Sequence, residues 1–246
     1  MSRAVTKVAS HQGRTHSVTS VTPTAVPPAT ATTLSDVKHL VWDWNGTLLN
    51  DLGLVVASTN VALTSSGGQP VTEDEHRRDF RRPIIDYYGS LLGRTVEPEE
   101  FARMDTIFHD EYRIGLLQVD LAADARDAIA TWTGTQSLLS MWFHHELVPT
   151  VDRFGLTPHF ARVDGLRDPI GGGFKAGHLA AHLTELGVEG AETVLIGDSV
   201  DDAHAAASVG AHCVLYAGGF TDPVKLREVG VPVAGTLLEA IALASR

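Results

Sequence analysis

TVLIGDSVDDAHAAASVGA, residues 193–211, is the stretch on which the reading of the fold turns. Its first four residues are apolar or β-branched without alternation, as in a short strand covered on both faces. GDSVDD then leads into an alanine-rich helical pattern that closes on Gly210. A buried strand running directly into a helix is the repeating unit of a parallel sheet. Three further runs resemble the first: HLVW (39–42), SLLSM (137–141) and CVLY (213–216). GHLAAHLTELG (177–187) supplies another intervening helix, with Leu179, Leu183 and Leu186 at helical spacing before Gly187. The predicted class is therefore α/β, a doubly wound parallel sheet. Ligands of such sheets bind beyond the carboxyl ends of the strands. Asp43, Ser140 and Asp198 fall at those ends.

Residues 51–120 break the alternation with four successive helical patterns and no convincing strand. They read as a helical cap domain inserted into a core formed by 36–50 and 121–246. LAADARDAIATW (121–132) is the expected helix of return. Residues 1–35 are rich in Ser, Thr, Ala, Pro and Val and contain no Asp or Glu, so a disordered leader is expected there. The missing acids, with Arg3, Lys7 and Arg14, are shared with organellar transit peptides, but a flexible tail is preferred.

A net charge of −11 over 246 residues argues against general attraction to nucleic acid or to an anionic membrane. No apolar stretch approaches the roughly 18 residues of a membrane span. Cys213 is the only cysteine, which excludes an internal disulfide. These features lead to the expectation of a cytoplasmic protein.

Four fragments carry chemistry: DWNGTL (43–48), Ser140 in SLLSMW, Lys175 in GGGFKAG, and GDSVDD (197–202). Three have an acid or hydroxyl where an apolar run ends; the fourth is one of only four lysines in the chain. Together they read as a Mg²⁺-dependent phosphoryl-transfer site. Such chemistry demands positioning and charge neutralisation, and a hard cation such as Mg²⁺ suits oxygen ligands.

In order and spacing, these motifs resemble the haloacid dehalogenase superfamily, in its phosphoglycolate-phosphatase-like branch with a helical cap. The resemblance spans about residues 38–216, and GDSVDDAHAAASVGA is its most specific part. It implies a Rossmann-like core and a Mg²⁺-dependent hydrolase of a small phosphorylated metabolite. Asp43 would be the nucleophile that forms an aspartyl-phosphate. Metal ligands would map to Asp43, the Asn45 main-chain carbonyl and Asp198, while Asp202 would support the metal or hold Lys175. Ser140 would donate to a phosphoryl oxygen, Lys175 would offset developing charge, and Thr47 would brace the loop. Trp44 and Gly46, flanking Asn45, and Arg81 and Arg82 in the cap are the candidate substrate-binding residues.

Asn45 departs from the family pattern, in which a second aspartate protonates the leaving group. Asparagine cannot shuttle a proton, and loss of general acid–base catalysis costs roughly 10²–10⁴ in rate. The expectations are a slow phosphatase limited to good leaving groups or, alternatively, a degraded member that binds a phosphorylated ligand or partner. Asn45→Asp should separate them. Phosphonate-cleaving relatives need a cap lysine, and residues 51–120 contain none. Dehalogenases do not need a fully acidic GDSVDD.

Lesser candidates read as structural. His178 and His182 have ligand spacing on a helix, but no acidic or cysteine partner is evident nearby, so they read as a helix face. His144 and His145 cannot easily share one site. GGG at 171–173 reads as a connection. Trp142, Tyr87 and Tyr88 are candidates to wall the cleft, with core packing the competing role.

Overall fold

The computed structural model describes residues 37–167 and 173–245. The expectations for the leader and for most of the GGG segment lie outside the described residues. In chain order the elements are β1 (His39–Trp42), α1 (Leu52–Ser65), α2 (Glu73–Asp79), α3 (Ile84–Leu92), α4 (Pro98–Gly115), α5 (Ala125–Thr131), β2 (Thr135–Phe143) and α6 (His144–Arg153). There follow β3 (Val163–Leu166), α7 (Ala176–Leu186), β4 (Thr193–Gly197), α8 (Val200–Ser208), β5 (His212–Tyr216), α9 (Pro223–Glu228), β6 (Val233–Ala234) and α10 (Leu237–Ala244). The strands form one six-stranded sheet in the order β3-β2-β1-β4-β5-β6, and every pairing is parallel.

The central strands bury every residue: β1 and β4 are covered along their whole lengths. Leu40, Trp42, Val194 and Ile196 face one apolar cluster, while Val41, Leu139 and Leu195 face another. Successive residues thus serve opposite faces of the sheet, which is why these strands show no alternation. A third cluster, around Leu63, Tyr88, Phe101 and Met104, belongs to α1, α3 and α4.

Two expectations need correction. The return helix begins at Ala125, not at residue 121, because Leu121 bridges to Leu49 and Ala122 N–H donates to the Leu48 carbonyl. His182 does have an acidic partner: it is buried, with Nδ1 2.8 Å from Asp164 and Nε2 2.8 Å from Ser137 Oγ. Its acidic partner lies on β3, a strand absent from the sequence reading.

Candidate active site

Asp43 is the first residue beyond β1, and Asp198 the first beyond β4, the neighbouring strand. Asp43 N–H donates to the Ile196 carbonyl at 2.9 Å, which ties the two strand ends together. Asp202 lies in the first turn of α8 within a capping box: Ser199 Oγ accepts from Asp202 N–H, and Asp202 accepts from Ser199 N–H. Single oxygens of Asp43, Asp198 and Asp202 lie within 4.8 Å of one another, and all three residues are buried. Lys175, also buried, donates from Nζ to Asp43 Oδ1 at 2.8 Å and to Asp202 Oδ1.

One buried ammonium therefore stands among three buried carboxylates. Burial raises Asp43 to about 6, against the pull of Lys175 and with the push of Asp202. Asp198 is driven well above the ordinary carboxylate range by burial and by the Asp43 and Asp202 charges. Burial pushes Asp202 up as well, but Lys175 and the hydrogen bonds from Ser199 together hold it below its ordinary value. Burial alone would lower Lys175, but its two carboxylate partners raise it. The cluster carries more negative charge than its own cation balances, and its free donors are hard oxygens. That donor set fits Mg²⁺.

Asn45 lies two residues beyond Asp43, in the turn that follows β1. Its Nδ2 donates to Asp51 Oδ2 at 2.8 Å and contacts Tyr112 Oη at 2.9 Å, while its Oδ1 accepts from Ser140 Oγ at 3.1 Å. Asp51 is buried and also accepts from Gly46 N–H at 2.7 Å and from the Tyr112 hydroxyl at 2.7 Å. Burial raises Asp51 to about 6, opposed by its hydrogen bonds from Asn45 and Tyr112. Gly46 has φ 72°, and a Cβ there would lie 2.5 Å from Asp198 Oδ2, so glycine is required on both counts. Thr47 Oγ1 donates to Asp198 Oδ1 at 3.3 Å.

Asp43, Asn45, Ser140, Lys175 and Asp198 line one cavity of about 130 Å³, roofed by α1 through α4. Arg82 also lines it, with Nη1 donating to the Gly173 carbonyl at 3.0 Å and Nε 3.8 Å from Asp201. Asp201 accepts from Lys175 N–H at 2.9 Å and so holds the lysine's backbone. Three of the four expected substrate-binding residues do not line the cavity, and neither do Thr47 and Asp202, which act behind it on Asp198 and Lys175. Trp44 is fully buried in the core beside Phe154, and Arg81 turns outward to the Asp79 carbonyl on the exposed side. Gly46 is spent on Asp51 and Asp198. His144 and His145 stand apart too, with His144 Nδ1 accepting from Gly165 N–H. Tyr87, Tyr88 and Trp142 are buried and do line the cavity. Asp51, Tyr112, His76 and His109 escaped the sequence reading, since each lies in or beside helical segments that carry no motif.

The family model described as "HAD-hyrolase-like" matches residues 174–240. The chain is 24% identical over 203 residues to a phosphoglycolate phosphatase of Agrobacterium fabrum, an alignment covering 74% of this chain and 81% of the relative. It is likewise 24% identical over 206 residues to a phosphoglycolate phosphatase of Chromobacterium violaceum, covering 78% and 90% of the two chains. A solved structure described as a predicted phosphatase from Clostridium acetobutylicum superposes with a TM-score of 0.74 at 13% identity, covering 84% of this chain and 97% of its own. At that identity the superposition shows the fold.

Proposed function

We propose that this chain is a hydrolase of the haloacid dehalogenase superfamily, a Mg²⁺-dependent phosphatase working through an aspartyl-phosphate on Asp43 and restricted to good leaving groups. The observation that carries the reading is the Lys175 ammonium shared between Asp43 and Asp202, with Asp198 beside them at the head of one cavity. Asp43, Asp198 and the Asn45 main-chain carbonyl would hold the Mg²⁺. That ion would screen the nucleophile's charge from the incoming phosphoryl group.

The rest of the work falls to the chain's own residues. Asp43, with one oxygen on Lys175, is fixed in orientation and presents its other oxygen to phosphorus. Lys175 keeps its proton and offsets charge on the phosphoryl oxygens. Asp202 and Asp201 hold the lysine by its ammonium and its backbone. Thr47 braces Asp198. Ser140 reaches the phosphoryl group only by giving up its bond to Asn45. The helices α1–α4 act as the cap that shuts water out and selects the organic half of the substrate.

Asn45 explains the restriction. Its amide is occupied on both sides, by Asp51 and Tyr112 at the nitrogen and by Ser140 at the oxygen, and an amide has no acidic proton to give a leaving oxygen. A phenol, with a pKa of about 10, leaves without help far more readily than an alcohol. A burst experiment with an aryl phosphate and Mg²⁺ tests this mechanism. A first turnover of about one equivalent, followed by slow release, is the expected pattern. Asp43→Asn should abolish both phases; unchanged turnover in that variant overturns the assignment. The occupied amide also favours a second reading, a member that binds a phosphorylated ligand without turnover. Absence of product in wild type and in Asn45→Asp alike selects that reading.

A further inference from the structure

The walls of the cavity differ sharply from its floor. Above the carboxylates stand Phe80, Tyr87, Tyr88, Phe108, Trp142 and Phe220. Phe80 and Phe220 meet edge to face at 5.7 Å, and Phe80 meets Tyr87 in the same way at 5.7 Å, leaving a continuous ring-lined surface. Besides Lys175, the arginine of the lining is Arg82, which is already engaged with Asp201 and the Gly173 carbonyl. His76 is held neutral at ordinary pH, since burial lowers it to about 4. Asp105 adds a carboxylate, 3.4 Å from His109 Nε2. Among the described residues of the lining, a negatively charged organic group would therefore meet an acid and no unpaired cation, and burying such a charge is costly. Three buried ring nitrogens of the lining residues, His76 Nε2, His109 Nδ1 and Trp142 Nε1, have no hydrogen-bond partner among the described residues.

We propose that the organic half of the substrate is a flat, uncharged aromatic group bound to phosphate through a phenolic oxygen and packed against this ring-lined wall. The inference rests on the phosphatase reading above and narrows it: this chain takes an aryl phosphate, not the carboxylate-bearing ester after which its two curated relatives are named. The chemistry balances without a protein acid. A bond forms from Asp43 to phosphorus as the bond from phosphorus to the aryl oxygen breaks. The electron pair leaves on that oxygen as a phenolate, which takes a proton from solvent. Water then cleaves the aspartyl-phosphate; one of its protons stays on the phosphate, the other goes to solvent, and the Asp43 carboxylate is restored.

The test separates the wall from the floor by equilibrium binding of three probes to the wild-type protein with Mg²⁺: inorganic phosphate, benzylphosphonate and phosphonoacetate. Their P–C bonds spare the two organic probes from ester hydrolysis, so leaving-group effects drop out. Benzylphosphonate is expected to bind at least tenfold tighter than phosphonoacetate. Phosphonoacetate binding as tightly or tighter, with phosphate still bound, overturns the aromatic assignment and leaves the phosphatase reading standing. No binding of any probe, phosphate included, removes the phosphatase reading and this inference with it. Phe108→Ala should weaken benzylphosphonate about tenfold, and Phe108→Leu, which keeps the packing of α4, by less. Undiminished benzylphosphonate affinity in Phe108→Leu and in folded Phe108→Ala also overturns the proposal.

Discussion

Position 45 shows how a single residue is embedded in its surroundings. From sequence, Asn45→Asp is a simple restoration of a missing acid. The structure makes it a question of two residues, because Asn45 Nδ2 donates to a buried carboxylate, Asp51 Oδ2, at 2.8 Å. A carboxylate placed at 45 would face Asp51 beside a single hydroxyl, Tyr112, whose proton already goes to Asp51, and the two acids would have to share a proton. We expect Asn45→Asp alone to raise kcat/KM on alkyl phosphates less than tenfold. Combined with Asp51→Asn, which returns a donor to the contact, the gain should reach the roughly 10²–10⁴ typical of a general acid. Steady-state kinetics on both variants decides it; a full gain in the single variant would show that Asp51 is no obstacle. Asp43, Lys175 and Asp198 were legible as a site because the order of their motifs is informative. Asp51 and Tyr112 were not, since a buried acid beside a distant tyrosine leaves no pattern along the chain.

Among the elements, strands covered on both faces were the easy ones: 39–42 is β1 as read, and 193–196 falls short of β4 by one residue. The run SLLSM understated β2, which extends from Thr135 to Phe143. Its polar start, buried from Gln136 onward, is satisfied across strands, with Trp42 Nε1 donating to Gln136 Oε1 and His39 bonded to Thr135 and Ser137 at 2.8 Å each. β3 was missed because VDGL contains Asp and Gly, both poor strand formers; Gly165 is there because a Cβ would lie 2.5 Å from the Trp142 carbonyl. The His39 contact between β1 and β2 has a consequence in acid. Burial, and then the neighbouring His182, lower His39 to about 4 from an ordinary 6.5. Between those values the unfolded chain binds a proton that the folded chain refuses, so this group's contribution to stability falls as pH drops from 6.5 to 4. His39→Gln keeps a polar group between the hydroxyls but does not titrate. Its destabilisation relative to wild type should shrink by up to about 3 kcal/mol across that window, as read by urea unfolding at pH 7 and pH 4.5. A difference that does not change with pH would contradict the assignment.

At the scale of the whole molecule, the cavity has one half in the sheet and one half in α1–α4, so its shape depends on how these are tied. The ties are arginines. Arg77 Nη1 and Nη2 donate to the Ala217 and Gly218 carbonyls at 3.3 and 3.1 Å, and its own carbonyl accepts from Asp222 N–H at 3.0 Å. Arg113 reaches Glu146 at 2.7 Å on the other side. Arg82 supplies the third tie, inside the cavity. The chain has 30 acidic residues against 19 basic ones, yet the Arg77 fork goes to backbone carbonyls, and its geometry cannot be reproduced by lysine. The Arg77 fork holds α2 over the loop that carries Phe220, the residue whose N–H donates to Asp198 Oδ2 at 2.5 Å. Loosening it should therefore disturb the aromatic wall and the carboxylate floor together. Arg77→Ala is expected to raise KM for an aryl phosphate several-fold and to speed amide exchange through residues 73–92, where few other bonds reach the sheet. Arg77→Lys should resemble Arg77→Ala, since the charge returns without the fork. Exchange in 73–92 that stays at the wild-type rate would mean that packing around Phe80 and Tyr87, and not the arginine, holds the two halves of the site together.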